Sequence, residues 1–299
     1  MRRTLSAVVA AALAALTLPL SSCGVPGTSP VETRAPGLPT PTAPTVGVVD
    51  AGGQQQFVDC EGSGGPTLVL VAGLWGWSKD WAAEVPGWRA DGRVCVYDRP
   101  GLGSSPGRAG PLEVDAGVHA RELHELLAAS GEGGPYVVVG HSYGGLVARA
   151  FVSAYPGEVS GLALLDAMPA GFEALSPSYG IVREEASPRT TIDLVASSRA
   201  VGGLSPLAHL PLLVLTAGIA PSRFDAETAR LLVIEQDRVA AASDDSLRLT
   251  AEGATHQLQD TAPTLVAEAV TELRDAARES RPVAPCSDRW RALGASCGQ

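Results

Sequence analysis

The chain has 299 residues, of which 45% are hydrophobic, and its formal net charge is −10 at pH 7. This length suits one large α/β domain with a sizeable core. The acidic balance disfavours nucleic acid and anionic lipid as charge-driven partners, because both require a basic surface.

The first 22 residues have the layout of a secretory signal. Arg2 and Arg3 precede an apolar run over 5–20 that is too short for a membrane-spanning helix. The segment Leu20–Cys23, of sequence LSSC, resembles the lipobox of bacterial lipoproteins, in which the signal is removed before the cysteine and the thiol is acylated. We therefore expect an exported protein, anchored to the outer face of the bacterial cell membrane through lipid on Cys23. A chance cysteine after an ordinary signal is the alternative.

Residues 23–52 are expected to form a lipidated tether. From residue 24 to about residue 45 the chain is rich in Pro, Thr, Gly and Ser and lacks hydrophobic periodicity. Such a segment cannot bury enough apolar surface to fold. We expect the folded domain over 53–281 and a C-terminal tail over 282–299.

Strand-like and helix-like patterns alternate through the expected domain. Seven runs have the short, apolar, β-branched composition of strands covered on both faces: Gln56–Cys60, Thr67–Ala72, Arg93–Tyr97, Tyr136–Val139, Gly161–Leu165, Leu212–Thr216 and Ser246–Ala251. Helical patterns lie over Val114–Ala129, Leu146–Tyr155 and Ala262–Glu279. This order predicts an α/β protein with a mostly parallel sheet.

The sequence GHSYG at 140–144 lies between a strand-like run and an Ala-rich helical pattern. A serine in a Gly-x-Ser-x-Gly turn at this place is held clear of the backbone, where a base and backbone amides can reach its hydroxyl. Gly140 and Gly144 permit the tight turn, and Gly145 lets the helix lie close to the strand. We therefore take Ser142 as the candidate nucleophile, with a plain strand-to-helix turn as the alternative.

Four cysteines remain once Cys23 is assigned to lipid. An even number in an oxidising compartment favours disulfides, and three pairings are possible. We favour Cys60–Cys95, whose members fall in two early strands, and Cys286–Cys297, which brackets the short tail. The chain has no Cys-x-x-Cys spacing, so we expect no metal site.

Five landmarks in order resemble the α/β-hydrolase family over about residues 53–280. They are AGLWG at 72–76, YDRPGLGSS at 97–105, the turn around Ser142, LLD at 164–166 and GATH at 253–256. The resemblance implies a mostly parallel eight-stranded sheet flanked by helices, with a small helical lid insertion at about 167–211. It also implies that the second and fourth strands are neighbours, which would bring Cys60 and Cys95 within bridging distance.

The resemblance also implies a Ser-His-Asp triad. His256 occupies the place where the family carries the base that takes the serine proton. The family usually carries the acid after the penultimate strand, but here no carboxylate follows Leu215 until Asp225. Some members carry it after the preceding strand, where Asp166 stands. We therefore expect Asp166 to orient His256, with Asp225 as the alternative acid.

The family forms its oxyanion hole from two backbone amides, which the resemblance places on Leu74 and Tyr143. Ala72 stands where the family usually has a histidine. The turn over 98–103 is expected to be a structural corner that braces the serine turn. His141 adjoins Ser142, and we expect its ring to point away from the serine hydroxyl and to pack.

The lid insertion offers apolar side chains for a small acyl or alcohol pocket: Met168, Phe172, Leu175, Tyr179, Ile181, Ile192, Leu194 and Val195. Trp75, Trp77 and Trp81 would form either the opposite wall of this pocket or part of the core.

Together these residues predict a secreted, lipid-anchored serine hydrolase that cleaves small-molecule carboxylic esters through an acyl-enzyme, without a cofactor. A peptidase or thioesterase of the same fold is one alternative. A catalytically silent binding lipoprotein is another. Epoxide hydrolysis and dehalogenation are disfavoured, because relatives with those activities have aspartate where Ser142 stands. The sequence does not indicate the acyl chain length or the oligomeric state.

Overall fold

The computed structural model describes residues 43–110, 112–172, 181–183, 190–219 and 224–298. The expected signal, Cys23 and most of the expected tether lie outside these residues, as do Leu175 and Tyr179 of the lid. In the part of the chain that is described, no helix has the length and apolar character needed to cross a membrane.

Twelve strands are formed by the described residues. They are β1 (Thr45–Ala51), β2 (Gln54–Glu61), β3 (Thr67–Val71), β4 (Val94–Tyr97), β5 (Glu113–Val114), β6 (Tyr136–His141), β7 (Val159–Leu165), β8 (Ile181–Arg183), β9 (Thr191–Asp193), β10 (Leu212–Ala217), β11 (Ser246–Ala251) and β12 (Ala295–Cys297). Nine form the main sheet, in the order β1-β2-β4-β3-β6-β7-β10-β11-β12, and three form a small sheet, in the order β5-β9-β8.

The helices of the described residues are α1 (Val85–Ala90), α2 (Ala116–Ala129), α3 (Tyr143–Ala154), α4 (Leu194–Ala200), α5 (Ala226–Ala240), α6 (Leu258–Thr261), α7 (Pro263–Glu279) and α8 (Asp288–Ala292). Short 3₁₀ turns occur at Ser78–Trp81, Pro156–Glu158 and Ser205–Leu207.

Alternate side chains of the central strands enter two separate cores. Val138 of β6 packs with residues of α2 and α3 on one face of the sheet. Val137 and Val139 pack with residues of α1 and α7 on the other. Because successive strand side chains point to opposite faces, a strand covered on both sides must be apolar throughout. This explains why the sequence of β6 is a continuous apolar run.

The central strands β4, β3, β6, β7, β10 and β11 run parallel, so their carboxyl ends meet along one edge of the sheet. Ligands bind at this edge in open α/β sheets. All seven strand-like runs of the sequence are strands here, and the predicted α/β architecture is confirmed. Within the described residues the main sheet has nine strands, where the sequence predicted eight.

The first additional strand, β1, belongs to the segment that the sequence predicted as tether. It pairs antiparallel with β2 in register from Thr45 opposite Cys60 to Ala51 opposite Gln54. Gly52 and Gly53 form the two-residue turn, with φ values of 64° and 90°. Positive φ at both positions matches the twist of a tight hairpin. The sheet therefore includes residues 45–51, which the sequence assigned to the tether.

The second additional strand, β12, belongs to the predicted C-terminal tail. It pairs antiparallel with β11, and Cys297 lies opposite Leu249. Trp290 of α8 is fully buried in the core beneath α7. The tail is thus part of the domain, because Trp290 packs in the core and β12 pairs with the edge of the sheet.

Both disulfides expected from the sequence are present. Cys60 and Cys95 lie directly opposite each other on β2 and β4, with their Cα atoms 4.1 Å apart. Cys286 is joined to Cys297 of β12 over a Cα–Cα distance of 5.8 Å.

The sequence predicted a helical lid, but the described part of this insertion is not purely helical. It contains β8 and β9 as well as α4, and β9 pairs with β5. Ile192 and Leu194 are fully buried in the core with α2 and α3, so they anchor the insertion instead of lining a pocket. β-Branched residues favour strands, which accounts for β8 and β9.

Candidate active site

Ser142 sits in a sharp turn between β6 and α3. Its φ of 53° and ψ of −122° lie in a region that non-glycine residues rarely adopt, and such strain costs about 1–3 kcal/mol. The neighbouring backbone leaves no room for larger residues: a Cβ at Gly144 would lie 2.2 Å from the Val71 carbonyl oxygen, and one at Gly145 2.4 Å from the Ala167 Cβ. The glycines therefore permit the turn that carries Ser142.

His256 follows β11 and connects the serine with a carboxylate. Its Nε2 lies 3.0 Å from the Ser142 Oγ, and its Nδ1 lies 2.6 Å from an Asp166 carboxylate oxygen. With Nδ1–H donating to Asp166, Nε2 is the acceptor for the serine hydroxyl proton. The three side chains therefore form one continuous hydrogen-bonded chain.

Asp166 is held rigidly at the end of β7. Its amide donates to the Leu215 carbonyl at 2.7 Å, and its second carboxylate oxygen accepts from the Ala217 amide at 3.0 Å. One carboxylate oxygen is thus fixed by β10, while the other holds the His256 ring. Asp166 follows β7, but its carboxylate is oriented by β10. β10 is the strand after which the family usually carries its acid.

Asp225, the alternative acid, has a different role. It is the N-cap of α5, where its side chain accepts from the Thr228 amide at 2.7 Å. This backbone hydrogen bond lowers the pKa of Asp225. The structure brings Asp166, and not Asp225, to His256.

His141 has a contact that the sequence did not indicate. Its Nε2 donates to the His256 backbone carbonyl at 2.9 Å, and the two ring centroids are 4.9 Å apart. The ring is buried, and burial lowers the pKa of His141 to about 4, with His256 contributing as a second cause. His141 is therefore neutral at physiological pH and ties the His256 loop to the serine turn.

The two expected oxyanion donors belong to two segments that adjoin Ser142. Tyr143 is the first residue of α3, and amides in the first turn of a helix point towards its N-terminal end. Leu74 follows Gly73, which packs closely on Ser142: a Cβ on Gly73 would lie 3.1 Å from the Ser142 Cβ. The arrangement therefore allows both amides to serve an oxygen bound at the serine.

An apolar cavity of about 90 Å³ opens beside the three hydrogen-bonded side chains. Met168 and Phe172 of the expected lid line it. Ile219, Phe224 and the α5 residues Leu232 and Val233, which the sequence did not nominate, line it as well. The tryptophans are not in its lining: Trp81 is in the core, and Trp75 and Trp77 are 50% and 37% exposed.

Within the described residues, one group could bring three potential metal-ligand atoms together: Cys60, Cys95 and Glu132. The disulfide between the two cysteines removes both thiolates as ligands. This cluster is therefore not a plausible metal centre.

A family model for the alpha/beta hydrolase fold matches residues 66–211, which include Ser142 and Asp166. The sheet order, the serine turn and this match agree. The chain belongs to the α/β-hydrolase superfamily.

Relatives of this α/β-hydrolase include a putative carbamate hydrolase, RutD, of Cronobacter sakazakii. It is 35% identical over 103 residues, which cover 34% of this chain and 38% of that protein. Lipase LipV of Mycobacterium tuberculosis is 38% identical over 112 residues, which cover 35% of this chain and 39% of that protein. The chain thus matches less than half the length of each.

Among solved structures, a putative lipase from Acinetobacter baumannii is similar to this α/β-hydrolase with a TM-score of 0.60. The match covers 80% of this chain and 93% of that chain, at 17% sequence identity. At this identity the likeness concerns the fold.

Proposed function

We propose that the protein is a serine hydrolase that cleaves carboxylic esters through an acyl-enzyme. The observation that carries the proposal is the hydrogen-bonded chain from Ser142 through His256 to Asp166, at 3.0 Å and 2.6 Å. A serine in contact with a base that is itself oriented by a carboxylate is the arrangement that activates a hydroxyl for attack on a carbonyl.

In the proposed reaction, the Ser142 Oγ attacks the ester carbonyl carbon while His256 Nε2 takes the hydroxyl proton. Asp166 stabilises the imidazolium that forms. The amides of Leu74 and Tyr143 donate to the carbonyl oxygen as it becomes negative. His256 then returns the proton to the leaving alcohol. Water, deprotonated by the same imidazole, attacks the acyl-enzyme carbonyl. The bond to the Ser142 Oγ then breaks, the imidazolium returns the proton to that oxygen, and the acid is released.

The cavity supports an uncharged, apolar acyl or alcohol group. Its walls are mostly hydrophobic side chains, and it is continuous with the triad residues. One of the two relatives is named a lipase, and lipases cleave carboxylic esters. We therefore place esters ahead of amides and thioesters as substrates.

We further propose that the protein is exported and anchored by lipid on Cys23. The sequence layout of residues 1–23 supports this, as do two disulfides, which persist in oxidising compartments.

The first test is hydrolysis of p-nitrophenyl esters from acetate to palmitate. We expect Ser142→Ala to lower kcat by at least about 10⁴-fold and Asp166→Asn by about 10²- to 10⁴-fold, because each breaks the hydrogen-bonded chain. Asp225→Asn is the matched control, since it removes a carboxylate that caps α5 and not the one that is bonded to His256. It should leave kcat within about twofold.

Labelling by a fluorophosphonate probe separates this proposal from a silent binding protein, because only an activated serine reacts. Wild-type protein that neither labels nor hydrolyses any ester would contradict the proposal. Labelling without ester turnover would direct the search to peptide and thioester substrates. A severe loss with Asp225→Asn, but not with Asp166→Asn, would overturn the assignment of the acid.

A further inference from the structure

Arg99 lies in the turn after β4, and its side chain is buried against the loop that follows β3. The residue is 2% exposed. Its Nη1 donates to the Ala72 carbonyl at 2.8 Å, and its Nη2 donates to the Gly73 carbonyl at 2.6 Å. Buried charge requires such hydrogen bonds, and those from a guanidinium are strong and directional. The two bonds fix two successive peptide units of the loop.

These bonds determine the direction of the next amide. The Gly73 carbonyl and the Leu74 N–H belong to one planar trans peptide, so they point in opposite directions. Because the carbonyl faces Arg99, the Leu74 N–H faces away from it. A cation that accepts electron density from the carbonyl also polarises this peptide, which makes its N–H a stronger donor.

The same guanidinium contacts the residue that carries the second amide. Its central carbon is 5.6 Å from the centroid of the Tyr143 ring, within the range of a cation–π interaction. The Tyr143 ring is fully buried, and its hydroxyl is 2.9 Å from His119 Nδ1. Tyr143 is thus held on two sides, by Arg99 and by His119.

We infer that Arg99 is a positioning residue of the oxyanion hole, and that it sets the spacing and direction of the Leu74 and Tyr143 amides. This inference rests on the proposed serine-hydrolase function. Arg99 contacts the loop carbonyls and the Tyr143 ring, and these contacts bear on the peptide units that carry the two amides. It therefore acts through the amides. Its effect therefore falls on the transition state, in which negative charge develops on the carbonyl oxygen.

The test compares Arg99→Gln and Arg99→Lys with a matched buried arginine. Arg274 of α7 is 1% exposed and donates to the Trp88 carbonyl at 3.0 Å. Trp88 lies in the segment before β4, and therefore near the amino ends of the parallel strands, opposite the triad. Arg274→Gln removes a buried guanidinium that also bonds a main-chain carbonyl, but it leaves the site untouched.

For Arg99→Gln we expect kcat on p-nitrophenyl acetate to fall about 10- to 100-fold, with KM within about threefold. Binding of a trifluoromethyl ketone should weaken by the same factor as kcat, because its adduct with Ser142 places an oxyanion in the hole. Arg99→Lys should retain part of the kcat and part of the ketone affinity, since an ammonium group supplies the charge but not the planar pair of donors of a guanidinium. The pH dependence of kcat should stay unchanged, because His256 and Asp166 keep their contacts.

Arg274→Gln should lower the melting temperature but keep wild-type kcat and ketone affinity. The inference is overturned if Arg99→Gln keeps both of these values and loses only melting temperature. If Arg99→Gln does not fold, Arg99→Lys decides by the same comparison. Wild-type protein that fails to label with fluorophosphonate would overturn the proposed function. Equal labelling rates in wild type and Arg99→Gln would overturn this inference alone.

Discussion

Two histidines, His141 and His256, are in contact beside the candidate nucleophile, and they have separate roles. His256 contacts Ser142 and Asp166 through its ring, whereas His141 holds the backbone of His256. A general base must lie within hydrogen-bond reach of the proton that it takes, so small movements of its backbone reduce catalysis. His141 therefore supports the geometry of the triad without belonging to it.

Replacement of His141 by phenylalanine keeps an aromatic ring at this position but removes the N–H that donates to the His256 carbonyl. We expect kcat to fall about 10-fold, because the His256 loop loses one of its anchors. The pH dependence of stability should change as well. Burial lowers the pKa of His141 from 6.5 to about 4, so the unfolded chain binds the extra proton first as the pH falls.

In wild type, the stability that depends on neutral His141 is complete above about pH 6.5 and is lost towards pH 4. As the pH falls from about 6.5 to about 4, the unfolding free energy of wild type should therefore decrease relative to that of His141→Phe. Urea unfolding at several pH values measures this difference. His209→Phe is the control, because the His209 side chain is 86% exposed. A difference that does not vary with pH would contradict the expected role of burial.

The residues of the site could be predicted to different degrees. Ser142 and its glycines lie in one contiguous motif, and His256 and Asp166 follow recognisable strands. The choice between Asp166 and Asp225 needed three-dimensional contacts, because both carboxylates follow strands but only one lies beside His256. The contacts of Arg99 join three distant segments, which sequence spacing does not reveal.

At the scale of elements, each disulfide restrains a different edge of the main sheet. Cys60–Cys95 joins β2 to β4, close to the β1 edge. Cys286–Cys297 joins β12, which pairs with β11 at the other edge, to the segment that follows α7. Edge strands lack a partner on one side, so a covalent link adds a restraint there.

Removal of either disulfide should destabilise the domain, and the loss of stability should rise with the logarithm of the length of the closed loop. The loops span 35 residues for Cys60–Cys95 and 11 for Cys286–Cys297. We expect Cys60→Ala/Cys95→Ala to lower the unfolding free energy by about 4 kcal/mol and Cys286→Ala/Cys297→Ala by about 3 kcal/mol. Neither pair touches the triad, so kcat of the folded protein should remain near wild type. Urea unfolding and ester assays test this, and a double variant of unchanged stability would contradict it.

The elements differ in how visible they are in the sequence. β6 and β7 are continuous apolar runs because both of their faces are covered, and their prediction was correct. β1 was missed because its outward side chains, such as Val46 and Val48, remain about half exposed beside Gly/Pro-rich sequence. β12 has three residues and no pattern of its own. Its pairing depends on the disulfide and on Trp290, which act through tertiary contacts.

At the scale of the whole molecule, the proposed anchor is separable from the catalytic domain. Cys23→Ser removes the thiol that would carry lipid, so we expect ester hydrolysis to shift from the membrane fraction to the soluble fraction with unchanged kcat. The lipid chains supply the membrane affinity. Cell fractionation measures the shift, and mass spectrometry of the N-terminal peptide detects the acyl groups. Cys286→Ala/Cys297→Ala, which keeps Cys23, should stay with the membranes.

Cys23→Ser protein that still sediments with membranes would contradict the anchor but not the hydrolase. Loss of activity in this variant would instead indicate that the lipidated end supports folding.

The triad is assembled from residues far apart along the chain, since His256 lies 114 positions after Ser142 and 90 after Asp166. A nascent chain that has not yet reached His256 holds the nucleophile but no base. Hydrolysis must therefore wait until His256 has been synthesised and β11 has joined the sheet. If the proposed export takes place before folding, the protein would remain latent among the esters of the cytoplasm. Under that proposal its activity would begin only after it has crossed the membrane.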